Sequence, residues 1–339
     1  MGLLASVVVV NFNGKQFLDA CLGALLRQEM AAPFEVILVD NGSSDDSVAY
    51  VAASYPTVRV IRATRNLGFA RGNNLGMRAA TGRHIVLLNN DTQVRPGWLK
   101  ALVDAAEANP AAGAIASKIL FIDPPATIQN AGTLLLSDGS GADRGFREPD
   151  HGQYDVREEV FGACGASVLY RREMLDDVGR FDETFFMYYE DTDLSWRMRL
   201  RGWSVIYEPA AVVDHVHAGS SREWSPFFTF HVDRNRLFMI LKNAPAAMVV
   251  RSYSRFAAMA ARSALGGVRR RVADRRPAPA LSHKGGRARR LGIYLKVVAS
   301  LTAHLPEMGA KRADIRRRRT APDAAIERWF IPRERWAVR

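Results

Sequence analysis

Short apolar runs alternate with polar stretches rich in glycine and asparagine through the first part of the chain. Ser6 to Val10 is a β-branched run, as a parallel strand buried on both faces requires. Phe17, Leu18, Cys21, Leu22, Leu25 and Leu26 fall at helical spacing. Phe34 to Val39 predicts a second strand, Ser47 to Tyr55 a helix, and Val58 to Ile61 a third strand. A helix running to Ala79 leads into a fourth apolar run, Ile85 to Leu88. Strands and helices in this order predict a parallel sheet with right-handed crossovers.

Beyond that run the pattern loosens. Pro96 to Ala108 reads as a helix, Ala114 to Phe121 as a strand, and residues 122–158 as loops or short hairpins. The segment Val160 to Tyr170 has small residues at its centre, where backbone must approach a neighbour closely. Arg171 to Val178 and Leu194 to Arg201 predict helices stopped by Gly179 and Gly202, and Trp203 to Tyr207 a strand. The compact domain is expected to end near Asn243. Ala244 to Leu265 and Leu291 to Leu305 are amphipathic helix candidates separated by a basic linker, Arg269 to Arg290.

Charge changes this picture. The net charge is +12, but residues 241–339 alone carry 24 Lys+Arg against 6 Asp+Glu, so an acidic body bears a basic extension. Such asymmetry points to an anionic partner. Few aromatics interleave the arginines and no nucleic-acid module is present, which favours a membrane surface over nucleic acid. A solvated extension without a partner is the remaining reading. Cys21 and Cys164 offer neither a disulfide framework nor metal-type spacing, as in a reducing compartment. No signal peptide and no membrane span are expected.

Four polar clusters each follow a strand: Asn11 to Gly14, Asp40 to Ser47, Arg65 to Asn74, and Asn89 to Asp91. In a parallel sheet they converge on the carboxyl edge, where ligands bind. An Asp at that edge is a hard-oxygen ligand for Mg²⁺ or Mn²⁺, although Asn-Asn-Asp is also ordinary turn composition. There is no Gly-x-Gly-x-x-Gly after the first strand and no P-loop. Glu190-Asp191-Thr192-Asp193 suits a helix start, and Asp193 is assigned mainly to capping. Three acids exceed that need, and the preceding Phe185, Phe186, Tyr188 and Tyr189 would desolvate one toward the pKa of a useful base. His215 and His217 share one strand face and could join a carboxylate at a metal.

Taken in order, these segments resemble the family-2 glycosyltransferases of the GT-A fold, rhamnosyltransferase-like branch. The resemblance covers roughly residues 5–243. It rests on Val7–Asn13, Val39–Asp45, Arg65–Asn74, Leu87–Asp91, Gly162–Ala166 and Phe186–Leu194. It implies an α/β fold with a mixed, mainly parallel Rossmann-like sheet flanked by helices, and a basic helical C-terminal extension. Residues 1–91 would form a nucleotide-sugar-binding half, residues 92–243 an acceptor-binding half, and residues 244–339 a membrane-associating tail. Asn11, Asn13, Asp40, Asn41, Arg65, Asn66, Gly72, Asn73, Asn74 and Asn90 would line the nucleotide-sugar site. Asp91 would be the metal-binding end of the D-x-D motif, whose first position here is Asn89. His217, or else His215, would be the late metal ligand, Asp191 the catalytic base, and Gly165, Glu190 and Asp193 the acceptor-side lining. The expected activity is inverting transfer of a sugar, dTDP-rhamnose being the first choice of donor, to a glycan or lipid-linked acceptor with Mg²⁺ or Mn²⁺. The expected place is the cytoplasmic face of the plasma membrane. UDP- or GDP-linked donors, or a catalytically silent nucleotide-sugar-binding protein, are the alternatives.

Overall fold

The computed structural model describes residues 3–216, 225–265 and 287–336. Four strands, β1 (Ala5–Asn11), β2 (Phe34–Asp40), β3 (Arg59–Arg62) and β4 (His84–Asn89), pair in parallel in the order β3-β2-β1-β4. Helices α1 (Lys15–Leu26), α2 (Ser47–Ser54) and α3 (Gly68–Ala79) make the crossovers. The non-alternating apolar runs are explained by burial on both faces. Val7, Val9, Leu38 and Leu88 pack on one side, and Val8, Ile37, Val39 and Leu87 on the other. Each such side chain contributes about 1.5–3 kcal/mol by leaving water.

The second half extends the sheet. After β5 (Thr92–Val94) and α4 (Trp98–Ala108) come β6 (Ala112–Phe121), β7 (Ile128–Asn130), β8 (Thr133–Leu136), β9 (Gly141–Asp143) and β10 (Glu158–Glu159). Then follow β11 (Ser167–Arg171), α5 (Arg172–Val178), a short 3₁₀ turn, α6 (Glu190–Leu200) and β12 (Ser204–His215). Among the described residues the main sheet has ten strands, ordered β10-β12-β6-β11-β4-β1-β2-β3 with β5 on β12 and β7 on β6. Strand β11 is antiparallel to both β4 and β6, so the sheet is mixed, as expected.

Two expected boundaries move. Helix α6 begins at Glu190, not Leu194, so the acids occupy its first turn. The strand expected to stop at Tyr207 runs on to His215, because an irregularity between Glu208 and Val212 absorbs Pro209.

By contacts the chain divides into two units, Met1–Ser220 with Arg319–Arg339, and Ser221–Arg318. The boundary anticipated at Asn243 falls inside the second unit. That unit consists of α7 (Pro226–Asn243), α8 (Ala246–Leu265) and α9 (Arg287–Arg318). They share a small core around Leu237, Phe256 and Val297. Arg312 and Arg316 of α9 donate to carbonyls at the end of α7, Leu241 O at 2.7 Å and Ala244 O at 2.7–2.8 Å among them. No described helix is long and apolar enough to cross a membrane. The returning segment forms α10 (Asp323–Glu327), β13 (Phe330–Ile331) and α11 (Arg333–Trp336), and β13 joins a second sheet ordered β13-β8-β9.

Candidate active site

The parallel register brings the strand ends together: Asn11 lies opposite Asp40, and Val10 opposite Asn89. The polar residues there bind one another first. Asn90 Nδ2 donates to Asn11 Oδ1 at 2.7 Å, and Asn41 N to Asn11 O at 2.7 Å. Ser44 N donates to Asn13 Oδ1 at 2.7 Å, and Asn13 has φ 51°, a left-handed value that asparagine tolerates. Asp40 is buried and accepts from Ser43 N at 3.3 Å. Asn41 spans to the third cluster, donating to Asn66 Oδ1 at 3.1 Å and accepting from Leu67 N at 2.9 Å. Gly72 lies against Val10 and Asn41. Arg65 is exposed, with no ion-pair partner among the described residues.

Two expected nucleotide-lining residues do structural work. Asn73 donates to Phe69 O within α3 at 3.0 Å. Asn74 is buried, donates to Phe181 O at 2.8 Å and Glu183 Oε1 at 3.1 Å, and accepts from Phe181 N at 3.1 Å. It fastens α3 to the segment ahead of the acidic cluster.

Asp91 and His215 meet although far apart in sequence. Asp91 Oδ1 lies 3.0 Å from His215 Nε2, both residues are buried, and Val216 N donates to Asp91 O at 2.9 Å. His215 Nδ1 is 2.8 Å from Gln129 Oε1, and Asn89 Nδ2 is 3.5 Å from Nε2. With Nδ1–H donating to the Gln129 carbonyl, Nε2 turns a lone pair toward the carboxylate, an arrangement suited to a cation. The donor set fits a divalent metal. Two ligands at about 2.1 Å on adjacent octahedral corners stand about 3.0 Å apart. A carboxylate with an imidazole suits Mn²⁺ at least as well as Mg²⁺. Among the described residues no third His, Cys, Asp or Glu joins the pair. His217 lies outside the described residues.

Asp191 sits in the first turn of α6, after Phe186, Tyr188 and Tyr189, whose φ values of 64°, 70° and 70° lie in the left-handed region. Bulky residues are rarely held there, and such strain concentrates at functional sites. Its Oδ2 accepts from Gly165 N at 2.9 Å; its Oδ1 accepts from Thr192 N at 2.6 Å and Thr192 Oγ1 at 3.1 Å. Burial among protein atoms raises the Asp191 carboxyl above the usual carboxylate range, against the opposing effect of those hydrogen bonds. Burial pushes Glu190 up more strongly, with the Asp191 charge adding to it. Glu190 Oε2 has no hydrogen-bond partner among the described residues. Asp193 is fully buried and paired with Arg197 Nε at 2.9 Å; Arg197 also donates to Val178 O and Arg180 O. Asp193 therefore serves the fold.

One turn joins the two chemical groups. Gly165 N holds Asp191, and the next residue, Ala166, accepts from Asn89 N at 2.9 Å. A Cβ on Gly165 would lie 3.1 Å from the Phe69 ring and 3.6 Å from Asp191 Cβ, so a small residue belongs there. The sequence reading missed Gln129 and Ala166. Gln129 lies in a stretch without periodicity, and Ala166 acts through its carbonyl, which side-chain identity does not reveal.

A mainly parallel sheet with β11 inverted beside β4, and an acid-headed helix at the carboxyl edge, is the architecture of GT-A glycosyltransferases. Residues 6–179 match the description "Glycosyl transferase family 2", and the chain belongs to that family, in its rhamnosyltransferase-like branch. It is 33% identical over 238 residues to an N-acetylglucosaminyl-diphospho-decaprenol L-rhamnosyltransferase of Mycobacterium tuberculosis, covering 63% of this chain and 76% of that one. It is 28% identical over 226 residues to the O-antigen biosynthesis protein RfbC of Myxococcus xanthus, covering 64% of this chain and 18% of that one. The fold matches the crystal structure of GalNAc-T7 with UDP, GalNAc and Mn²⁺ at a TM-score of 0.62 and 14% identity, covering 90% of this chain and 58% of the other. It matches S. aureus TarS 1-349 in complex with UDP at 0.53 and 16%, covering 92% and 89%.

Proposed function

We propose that this glycosyltransferase moves L-rhamnose, with inversion, from dTDP-rhamnose to a hydroxyl of a lipid-linked, envelope-type glycan acceptor. The observation that carries the chemistry is the Gly165–Ala166 turn, which ties the half-buried Asp191 carboxylate to the strand end beside Asp91. The mycobacterial relative supports the choice of donor and acceptor. The acceptor O–H proton passes to Asp191 as the new C1–O bond forms and the bond from C1 to the diphosphate oxygen breaks. Asp191, raised by burial, is a stronger base than an ordinary aspartate. A divalent cation held by Asp91 and His215 would neutralise charge on the leaving diphosphate. Arg65 adds a positive charge on the side of the nucleotide. Asp40 and Asn11, with Asn13 beside them, face the base and ribose.

Purified protein given dTDP-rhamnose, UDP-GlcNAc or UDP-galactose, a short polyprenyl-diphosphate-GlcNAc acceptor and Mn²⁺ should form product from the first donor with at least tenfold preference. Equal transfer from a UDP-sugar would replace the donor, and no transfer from any of them would overturn the reading.

The basic unit supports a peripheral site on an anionic membrane, on the cytoplasmic side. Residues 221–318 hold 22 Lys+Arg against 5 Asp+Glu. On α8, Arg251, Arg255 and Arg262 share an exposed face beside the exposed Val250. On α9, Leu295, Val298 and Leu305 form an exposed apolar stripe. Each arginine near the surface contributes about 1 kcal/mol. The charge-reversed triple variant R251E/R255E/R262E should lose co-sedimentation with phosphatidylglycerol-containing vesicles, and wild-type binding should weaken with salt. Equal binding by the variant would remove this face from the interface.

A further inference from the structure

The returning segment is fastened to the catalytic helix at several points. Thr320 N and Ala321 N both donate to Leu200 O, at 2.9 and 3.1 Å, where α6 ends. Ile326 is 2% exposed. Strand β13 pairs with β8, and Ser137 N donates to Ile331 O at 2.9 Å. Arg328 and Arg333 form ion pairs with Glu159 and Asp138. This part of the chain therefore belongs to the catalytic unit, although the basic helices separate it from that unit in sequence.

Its contacts converge on the turn that holds Asp191. Trp329 lies with Arg199 of α6 over its face at 4.3 Å and Phe161 at its edge, ring centres 6.4 Å apart. Phe161 in turn meets Trp196 of α6 at 6.2 Å, and Trp196 meets Phe330 at 6.2 Å. Arg199 Nε donates to Phe161 O at 3.1 Å, and its other nitrogens reach Glu159 and Val160 O. Phe161 opens the turn whose Gly165 N–H binds Asp191 and whose Ala166 carbonyl binds Asn89. A second route ends on the same carboxylate. Gly141, in the β8–β9 hairpin that β13 extends, packs so closely on Thr192 that a Cβ there would lie 3.1 Å from Oγ1. Thr192 is the other hydrogen-bond partner of Asp191.

We infer that Trp329 is a positioning residue: by seating Phe161 against α6 it fixes the Gly162–Ala166 turn, and through Gly165 it orients the Asp191 carboxylate. The active site is then incomplete without residues that follow the basic unit. In sequence the basic unit follows the strand that carries His215, and the residues after it bind at the end of the helix that carries Asp191.

The test compares Trp329→Ala and Trp329→Phe with wild type in the full chain. Amide exchange of the peptide covering residues 162–168 should speed up at least tenfold in Trp329→Ala, with peptides of β1 and β2 unchanged and Trp329→Phe close to wild type. In the transfer assay kcat should fall roughly tenfold to a hundredfold, with KM for the donor unchanged. The acid limb of the rate profile should move to higher pH, because the Gly165 N–H holds the Asp191 carboxyl down. A segment that only adds stability would lower the active fraction and leave that limb in place. Unchanged exchange at 162–168, or loosening that includes β1 and β2 in both variants, would overturn the proposal. The exchange arm does not depend on the donor or on Asp191 being the base, so a failure of the rhamnosyl reading is seen separately.

Discussion

Asp191→Asn should lower turnover by roughly 10²–10⁴-fold while leaving donor binding within a factor of two. Asparagine keeps the size of the side chain and one oxygen for the Gly165 N–H, but it cannot take the acceptor proton. Donor affinity, read by the rise in melting temperature with dTDP-rhamnose, should stay near wild type. The wild-type pH profile carries the same signature. A base whose carboxyl is raised by burial is protonated, and idle, to a higher pH than an ordinary aspartate. Activity should therefore rise with pH through that raised value, and the rise should be absent from any residual activity of the variant. Glu190→Gln is the control: burial already favours its neutral form, so the amide should retain most of the activity. Wild-type turnover by Asp191→Asn would remove the residue from the chemistry.

Changes to the Asp91–His215 pair should show in the metal requirement. His215→Ala and Asp91→Asn are each expected to raise the Mn²⁺ concentration for half-maximal turnover roughly 100-fold, and Gln129→Leu roughly tenfold. Gln129 would act through the imidazole: with its carbonyl accepting from Nδ1–H, Nε2 is left for the metal. Asn89→Asp should act in the opposite sense. It would place a second carboxylate 3.5 Å from Nε2 and allow Mn²⁺ to raise the melting temperature without nucleotide. With Asn89 in place, the metal-induced rise should need dTDP or the sugar nucleotide, whose phosphates would supply further oxygen ligands. A metal requirement unmoved by His215→Ala would exclude that residue as a ligand.

Much of the fold was legible because it follows local rules. β1 to β4 are buried on both faces, so each is a continuous apolar run that no other arrangement explains as well. Their polar ends followed, and with them Asn11, Asp40 and Asn90 at one edge. The helix of the acidic cluster was legible in kind but not in its start, because the aromatic turn at Phe186 to Tyr189 adopts dihedral angles that residue type does not announce. Asn73 and Asn74 show the opposite limit. Their position in a polar cluster suggested a ligand, yet their amides bind backbone of the same unit.

Local pattern was enough for the alternation of strands and helices in the first half, for the family, and for two candidate carboxylates, one at a strand end and one at a helix head. Periodicity and short motifs carry that information because neighbours along one chain segment set it. Tertiary structure alone showed that His215 meets Asp91, that Gln129 lies against its other ring nitrogen, and that one turn links Asp91's strand to Asp191. It also decided that residues after the basic helices return to brace that turn. These pairings join separate segments, 26 residues apart for Gly165 and Asp191, 86 for Gln129 and His215 and 124 for Asp91 and His215. Their specificity lies in the geometry of burial, and no local pattern encodes it.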